Sequence, residues 1–568
     1  MTLSGTAQLV LWLILLLAAV RPLGGYMQRV FAGEATPLSP LLRPIETALY
    51  SLAGVRPDQQ QEWHSYALAF LFFHLPGMLL LYGLLRLQYW LPLNPAGQTA
   101  LSPDLALNTA VSFATNTSSE SYGGETTLGH LAQMAGIAVQ SFLSAAAGIA
   151  VALALTRGFA SRGMTTIGNF WVDVTRATLY VLLPICMVAT LFMAWQGTPQ
   201  TFSAPVDAMT LEGAEQAISL GPVASQVSIK LLSGDGGGFF DAQSAHPFEN
   251  PSNLTNLLGM LLMPLLGAAL TNTFGRMVGN ERQGWALLAA MVVLVLVGAV
   301  ALQGFETAGN PLLAGNVDQH LGNLEGKELR FGAPGSALFA EIGTATSDGA
   351  VNSMQDSFSP LSGLVLLSNM MVDEVIIGGP GSGLFGMLLF AIVSVFVAGL
   401  MIGRTPEYVG NKIEAREVKL TMLALLAVPA ALLIPTAVAV VIPAGLAGLG
   451  NAGPHGFSEV LYAYTSAVNT NGSSFAGLST NTPFYNLTLA LAMAIGRFVV
   501  IVPVLALAGS LATQRRVAES LGTMPTTGGL WIGLLLGVIV IVGGLTYLPA
   551  LALGPVAEHL AMLHGSVF

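Results

Sequence analysis

The stretch Leu231-Leu-Ser-Gly-Asp-Gly-Gly-Gly-Phe-Phe240 governs how the rest of the sequence is interpreted. It holds three consecutive glycines and Asp235, and it lies between two long apolar segments. Glycine favours irregular backbone over helix, and irregular backbone at membrane depth is tolerated only where protein or water covers it. We therefore expect this stretch to form a re-entrant loop, of the kind found in selectivity filters and binding sites.

Three other stretches share this character, at intervals of roughly 115 residues, far longer than the repeat of a solenoid. We call the four of them polar loops 1 to 4: Asn116-Thr117-Ser118, Gly234-Asp235-Gly236, Ser347-Asp348-Gly349 and Thr470-Asn471-Gly472. Asn-Gly and Asp-Gly pairs are also common in ordinary turns. Four such loops, each flanked by apolar segments, instead favour one shared axis at which backbone carbonyls bind a dehydrated cation.

The composition is that of a polytopic membrane protein. Of 568 residues, 53% are hydrophobic and only 9% are charged, whereas a soluble protein has about 25% charged residues. The formal charge of −10 and the scattered basic residues argue against a nucleic-acid partner. The single cysteine, Cys186, lies in an apolar run, which predicts a packing role and excludes an intrachain disulfide.

The apolar runs predict an all-α polytopic fold with about ten transmembrane helices and four re-entrant hairpins. Residues 1–63 hold the first span, ending near residue 23, and a cytoplasmic connection. Four span–pore-helix–span repeats follow at 64–156, 172–276, 284–403 and 418–511, with their polar loops around one axis, and residues 529–553 form the last span.

A short helix, too short to cross a membrane, precedes each polar loop. We call these half-helices 1 to 4 and expect them at Asp104–Ala114, Pro222–Leu232, Ser336–Ala345 and Gly456–Val468. Their negative C-terminal ends point at the polar loops, which favours a cation there.

Most of the 20 lysines and arginines lie in the connections between repeats, where the positive-inside rule predicts the cytoplasm. The polar loops and both termini then lie outside the cytoplasm.

Catalytic and nucleotide-binding motifs are missing from the sequence. Gly326-Lys327 lacks the spacing and the hydroxyl residue of a phosphate-binding loop, and no Asp-Lys-Thr-Gly phosphorylation motif occurs. The eight histidines show no metal-ligand spacing. His246 is therefore expected to stabilise its loop by hydrogen bonds rather than to bind a ligand.

Ionisable residues of both signs lie in or next to the later spans. Asp373 and Glu374 precede Gly378-Gly-Pro-Gly-Ser-Gly383, which breaks the seventh span, and Arg497 stands alone in an apolar run. Ionisable groups in a membrane are usually paired or functional. We expect an intramembrane ion pair between Glu374 and Arg497; the alternative is that both carboxylates lie at an interface.

Several ordered sequence strings resemble one family along essentially the whole chain. They include Arg21-Pro-Leu-Gly24, Pro92-Leu-Asn-Pro95, Ser121-Tyr-Gly-Gly-Glu-Thr-Thr127, His246-Pro-Phe-Glu-Asn-Pro251, Gly403-Arg-Thr-Pro-Glu-Tyr408 and Gly453-Pro-His-Gly-Phe-Ser-Glu-Val460. The sequence resembles the potassium-binding and translocating component (KdpA) of Kdp-type potassium-transporting ATPases, within the potassium-transporter superfamily.

The resemblance implies a non-catalytic component of a complex in a bacterial inner membrane. It would bind extracytoplasmic K⁺ in a selectivity filter and pass the ion along an intramembrane tunnel to a separate P-type ATPase (KdpB). Two small proteins, KdpC and KdpF, would complete the complex. The resemblance also implies a pseudo-fourfold pore and no nucleotide on this chain, and the other expected contacts are with membrane lipid. The implied filter residues are those of the four polar loops (Asn116 and Thr117 in loop 1), and the implied charged pair is Glu374 with Arg497.

The chain departs from the family pattern in three polar loops, at Glu120, Asp235 and Asp348. We expect both aspartates to accept hydrogen bonds from loop amides, as Asp often does in turns; the alternative is direct contact with the ion.

A self-sufficient potassium channel or cation symporter with the same four-loop pore is the second functional hypothesis, and a membrane-embedded enzyme is a distant third.

Overall fold

The computed structural model describes residues 2–161, 163–313, 315–372, 375–515 and 523–565. Within these ranges, ten helices are long and apolar enough to cross a membrane. They are Leu3–Ala32, Trp63–Trp90, Ala132–Ala160, Phe170–Trp195, Asn253–Met277, Glu281–Leu313, Ser382–Ile402, Ala415–Ala439, Pro483–Thr513 and Gly529–Leu563. The predicted polytopic helical fold is confirmed.

The four half-helices occur where the sequence places them. They span Pro103–Ala114, Val223–Ser233, Gly332–Ala345 and Gly453–Val468. Ser102 caps the first by accepting a hydrogen bond from the Leu105 N–H at 3.4 Å. The fourth begins before the predicted Gly456 because Pro454 suits the first turn of a helix.

The remaining elements are short. The helices are Ser39–Ala53, Gly124–Thr127, Pro360–Met371 and Pro443–Leu446. Three antiparallel strand pairs join Gln61–Glu62 to Thr166–Gly168, Val206–Met209 to Glu215–Ile218, and Glu407–Tyr408 to Asn411–Lys412.

The first span is longer than predicted. The sequence placed its end near residue 23, whereas the helix continues to Ala32. The Arg21 side chain is exposed and lies 3.8 Å from Glu281. A charged residue at this position is therefore compatible with a helix that continues beyond it. Pro22 also lies inside the helix without terminating it.

Within each repeat the second span is the inner one. The apolar windows of the second spans are 67% to 78% buried, whereas those of the first spans are 22% to 50% buried. The second spans and the half-helices therefore form the centre of the molecule, and the first spans form the outer layer.

The half-helices close the repeats into a ring, because each contacts the second span of the preceding repeat. Half-helix 2 contacts Ala132–Ala160, half-helix 3 contacts Asn253–Met277, half-helix 4 contacts Pro360–Met371, and half-helix 1 contacts Pro483–Thr513. Repeat 4 thus adjoins repeat 1, as a pseudo-fourfold arrangement requires.

The seventh span is broken, as the sequence predicts. Its first part, Pro360–Met371, ends well before Ser382–Ile402 begins. The backbone between them is left-handed at Ile377 (φ 68°), Gly378 (φ 66°) and Gly381 (φ 109°), which is incompatible with a continuous helix.

Candidate ion-binding site

The four half-helices terminate in the same way at their polar loops. In each, the backbone N–H of the second loop residue donates to a carbonyl in the last turn of the half-helix, which is the long hydrogen bond of a Schellman motif. The bonds run from Thr117 to Ser112 (2.9 Å), from Asp235 to Lys230 (3.1 Å), from Asp348 to Gly343 (3.2 Å) and from Asn471 to Ser466 (2.9 Å).

The first residue of every polar loop has left-handed backbone. The φ angle is 64° at Asn116, 64° at Gly234, 53° at Ser347 and 47° at Thr470. This conformation is costly for a β-branched residue such as Thr470 and persists only where the surroundings hold it. Such strain is typical of binding sites. The left-handed conformation recurs at four equivalent positions, although Gly234 adopts it without strain.

The polar loops contact one another in cyclic order through their third residues. A Cβ atom would collide at Gly236 with the Asp348 carbonyl, at Gly349 with the Asn471 carbonyl, and at Gly472 with the Thr117 carbonyl. Ser118 closes the ring by donating from Oγ to Asp235 Oδ1 at 2.6 Å. Glycine is therefore needed in loops 2 to 4, where the backbones of neighbouring loops approach most closely.

Several polar side chains of the ring hydrogen-bond to the protein itself. Asn116 Nδ2 donates to the Gly234 carbonyl at 2.7 Å, and Asn471 Nδ2 donates to the Gly343 carbonyl at 3.0 Å. These bonds tie loop 1 to loop 2 and loop 4 to half-helix 3. They hold the loop backbones in place.

The two aspartates differ in their partners. Asp348 Oδ1 accepts a hydrogen bond from the Ala350 N–H at 3.2 Å, which is the amide contact expected from the sequence. Asp235 instead accepts from hydroxyls, those of Ser118 and of Ser144, the latter at 3.5 Å.

A buried ion pair braces polar loop 2, and the sequence reasoning did not identify it. Lys230 Nζ on half-helix 2 donates to Glu249 at 2.6 Å and to the Gly237 carbonyl at 2.7 Å. Glu249 also accepts from the Phe240 N–H at 3.0 Å. Lys230 is the one charged residue in Val223–Ser233, and that signal would have singled it out.

Glu120 stabilises the same loop from loop 1. Its Oε2 accepts a hydrogen bond from the Gly238 N–H at 3.0 Å. Glu120, one of the three departures from the family pattern, therefore connects the segments that follow polar loops 1 and 2.

The break in the seventh span lies directly against the ring. The Gly378 N–H donates to the Ala345 carbonyl at the end of half-helix 3, at 3.1 Å. A Cβ atom at Gly234 would lie 2.6 Å from Pro380 Cδ, and one at Gly267 would lie 2.7 Å from the Gly378 carbonyl. The break thus packs between polar loop 2 and the inner span of repeat 2.

Arg497 is buried beside polar loop 4. It lies in the π-helical turn Ile495–Val499, a distortion that is frequent at functional sites, and its Nη2 donates to the Ser144 carbonyl at 2.8 Å. A cavity of about 30 Å³ is lined by Thr470, Arg497 and Ser382, among others. Glu374, its predicted partner, lies outside the described residues, so that pair remains a prediction.

Two smaller expectations agree with the structure. His246 Nδ1 accepts a hydrogen bond from the Phe248 N–H at 3.1 Å, and its ring stacks on Phe240 at 3.7 Å between centroids. Cys186 is buried, and its thiol donates to the Ser228 carbonyl at 3.4 Å. Both residues serve local packing.

Comparison with known proteins identifies the family. The sequence profile described as Potassium-transporting ATPase A subunit (KdpA) matches residues 10–560. The chain belongs to this family. Proteins named potassium-transporting ATPase potassium-binding subunit, from Methylorubrum populi and Bradyrhizobium diazoefficiens, are 61% and 59% identical to it. The alignments cover 100% of this chain and 99% and 100% of those proteins, respectively.

A solved structure supports the same fold. The potassium transporter TrkH from Vibrio parahaemolyticus superposes with a TM-score of 0.52 over 88% of this chain and 98% of its own, at 16% sequence identity. Membership of the KdpA family confirms the resemblance seen in the sequence motifs. With the ten apolar helices, it also confirms a multi-pass membrane protein.

Proposed function

We propose that this KdpA-family member binds K⁺ in the ring of polar loops, as the potassium-binding component of a potassium-transporting ATPase. The observation that carries the proposal is the repetition of one left-handed Schellman turn in four loops that contact one another in cyclic order. A ring of equivalent backbones suits a cation that exchanges its hydration shell for carbonyl oxygens.

The K⁺ ligands in this proposal are backbone carbonyls of the polar loops. The assigned residues are Asn116, Thr117, Gly234, Asp235, Gly236, Ser347, Asp348, Gly349, Thr470, Asn471 and Gly472. The amide nitrogens of Asn116 and Asn471 donate to the Gly234 and Gly343 carbonyls. Three side-chain oxygens of the loops, Asn116 Oδ1, Ser347 Oγ and Asp348 Oδ2, are buried without a hydrogen-bond partner among the described residues. The C-terminal ends of four half-helices add negative potential at the same place.

An ion leaving the ring would not pass straight through the molecule. In this proposal the segment from Ile377 to Gly381, which packs against polar loop 2 and the inner spans, obstructs the direct route. The ion turns aside towards the small cavity beside Thr470 and Arg497, where the positive charge of Arg497, paired with Glu374, would limit the movement of cations.

The energy for uphill transport comes from another protein of the complex in this proposal. ATP is hydrolysed by the P-type ATPase KdpB, and the small proteins KdpC and KdpF complete the complex in the inner membrane of a bacterium. The polar loops and both termini face away from the cytoplasm, as the distribution of lysine and arginine favours.

Gly349→Ala and Gly472→Ala test the ring. Both glycines have left-handed backbone, with φ of 73° and 96°, and in both an added Cβ meets the carbonyl of the next loop. We expect each variant to raise the K⁺ concentration for half-maximal ATPase activity of the assembled complex at least about tenfold, which corresponds to about 1.4 kcal/mol.

Gly533→Ala is the matched control, because it lies in the last span with open space around it. Its K⁺ dependence should equal that of the unaltered complex. Unchanged K⁺ affinity in both ring variants, with normal assembly, would show that the polar loops do not bind the ion.

A further inference from the structure

A second group of ligand-type side chains gathers where polar loop 3, half-helix 4 and the last span meet. Asp356 follows polar loop 3, His455 and Glu459 lie on half-helix 4, and Glu558 lies near the end of the last span. One ligand atom each from Asp356, His455 and Glu459 lies within 4.8 Å of the other two. The transport proposal assigns no role to this group.

The imidazole of His455 is oriented for metal binding. Its Nδ1 lies 2.8 Å from Glu558 Oε1, and its Nε2 lies 3.3 Å from Asp356 Oδ1. A carboxylate that accepts from one ring nitrogen fixes the tautomer and directs the other nitrogen at the metal, as in many zinc sites. Here Glu558 is the carboxylate on Nδ1, and Nε2 faces Asp356.

Glu459 supplies an independent observation that points to a cation. Its side chain is fully buried, and its Oε1 accepts a hydrogen bond from Asn451 Nδ2 at 2.7 Å. Its Oε2 has no hydrogen-bond partner among the described residues. A buried carboxylate oxygen without a partner is costly, and a bound cation would remove that cost.

Space for further ligands adjoins the group. A cavity of about 210 Å³ is lined by Asp356, Asn451, His455 and Glu558, among others. One water needs only about 30 Å³ of liquid volume, so water molecules can complete a coordination sphere.

We propose that Asp356, His455 and Glu459 bind a divalent transition-metal cation of the zinc class, with water completing the coordination. Zinc accepts imidazole nitrogen and carboxylate oxygen at about 2.0–2.2 Å, commonly in tetrahedral geometry. The ligand atoms around such an ion are about 3.4 Å from one another. The ligand atoms of the three side chains therefore move roughly 1 Å closer together when the ion binds. The mixed donor set favours zinc over Mg²⁺ or Ca²⁺, which prefer oxygen alone.

The site would brace the ring of polar loops. Gln355, next to Asp356, accepts a hydrogen bond from the Tyr462 hydroxyl. Tyr462 lies 2.7 Å from Ser473 Oγ, and the Ser473 N–H donates to Asn471 Oδ1 at 3.0 Å. A continuous chain of contacts thus leads from the proposed metal site to polar loop 4.

Zinc content and affinity of the purified, assembled complex test the proposal. After treatment with a chelator and incubation with Zn²⁺, elemental analysis should find one more zinc per complex in the unaltered protein than in the Glu459→Gln or His455→Gln variant. Glu558→Gln should retain the metal with an affinity about 10- to 100-fold lower, because it removes only the outer carboxylate.

His320→Gln is the matched control. His320 forms an exposed pair with Asp318 at 2.9 Å and offers no enclosed ligand group, so its zinc content should equal that of the unaltered complex. Equal zinc content in all variants, or none in the unaltered protein, would overturn the proposal and leave His455 as a protonated imidazole between carboxylates.

X-ray absorption at the zinc edge of the unaltered complex provides a readout that does not depend on variants folding. One nitrogen and two or more oxygen ligands at about 2.0–2.2 Å are expected. A coordination shell of sulfur, or of several imidazoles, would place the zinc elsewhere in the complex and contradict the proposal.

Discussion

Asp235 is buried in the ring of polar loops. Its carboxyl accepts hydrogen bonds from the Ser118 and Ser144 hydroxyls. In Asp235→Asn the amide oxygen can still accept from Ser118. We therefore expect the apparent K⁺ affinity of the assembled complex to change by less than about threefold, or about 0.7 kcal/mol, in competition with Na⁺.

Asp235→Leu provides the contrast, because it removes every acceptor and leaves the Ser118 hydroxyl unpaired. Loss of a buried partner costs about 1–3 kcal/mol, so this variant should have a lower melting temperature than the asparagine variant. A large loss of K⁺ affinity in Asp235→Asn, or sharply better rejection of Na⁺, would instead place the carboxylate in contact with the ion.

Half-helix 2 and polar loop 2 depend on the buried pair between Lys230 and Glu249. Both side chains are almost wholly buried, so removing one partner leaves an uncompensated charge. Glu249→Gln should destabilise the protein by about 3–5 kcal/mol, measured as a fall in melting temperature of the detergent-solubilised complex. The double variant Lys230→Met/Glu249→Leu should lose less, because no charge is left buried.

Glu328→Gln is the control for this element. Glu328 pairs with Arg330 at 3.2 Å, both side chains are partly exposed, and pairs open to solvent contribute about 0–1 kcal/mol. Strictly additive losses in the Lys230 and Glu249 variants would show that the two residues do not stabilise loop 2 as a unit.

The orientation of the whole molecule in the membrane can be tested with single cysteines. Cys186 is buried and should react little with a membrane-impermeant maleimide. Leu211, at the tip of the hairpin Val206–Met209 and Glu215–Ile218, is fully exposed. Leu211→Cys should be labelled from outside intact cells, since this hairpin lies on the chain between an outer span and half-helix 2.

Arg416→Cys serves as the opposite marker. Arg416 is exposed at the start of Ala415–Ala439, in a connection between repeats. It should be labelled only after the cells are opened. The reverse pattern would invert the proposed topology and place the polar loops in the cytoplasm.

The individual elements of this protein are predictable from its sequence. Apolar runs of about 20 residues have few alternatives to spanning helices, and short helices that end in Gly-rich polar loops cannot cross a membrane. The recurrence of those loops therefore predicted four half-helices, and the interruption at Gly378–Gly383 predicted the broken span. The family motifs then indicated K⁺ as the ion. All of these features depend on local composition and spacing along the chain.

Which residues meet in space depends on how the spans pack. The cyclic contacts from Gly236, Gly349 and Gly472 to the next loop join residues more than a hundred positions apart, and no local pattern specifies them. The group of Asp356, His455 and Glu459 has the same origin, because its ligands come from two repeats. Local propensity acts within a few residues, whereas packing of the spans sets the distances between loops, so ligand groups assembled by packing are invisible to spacing rules.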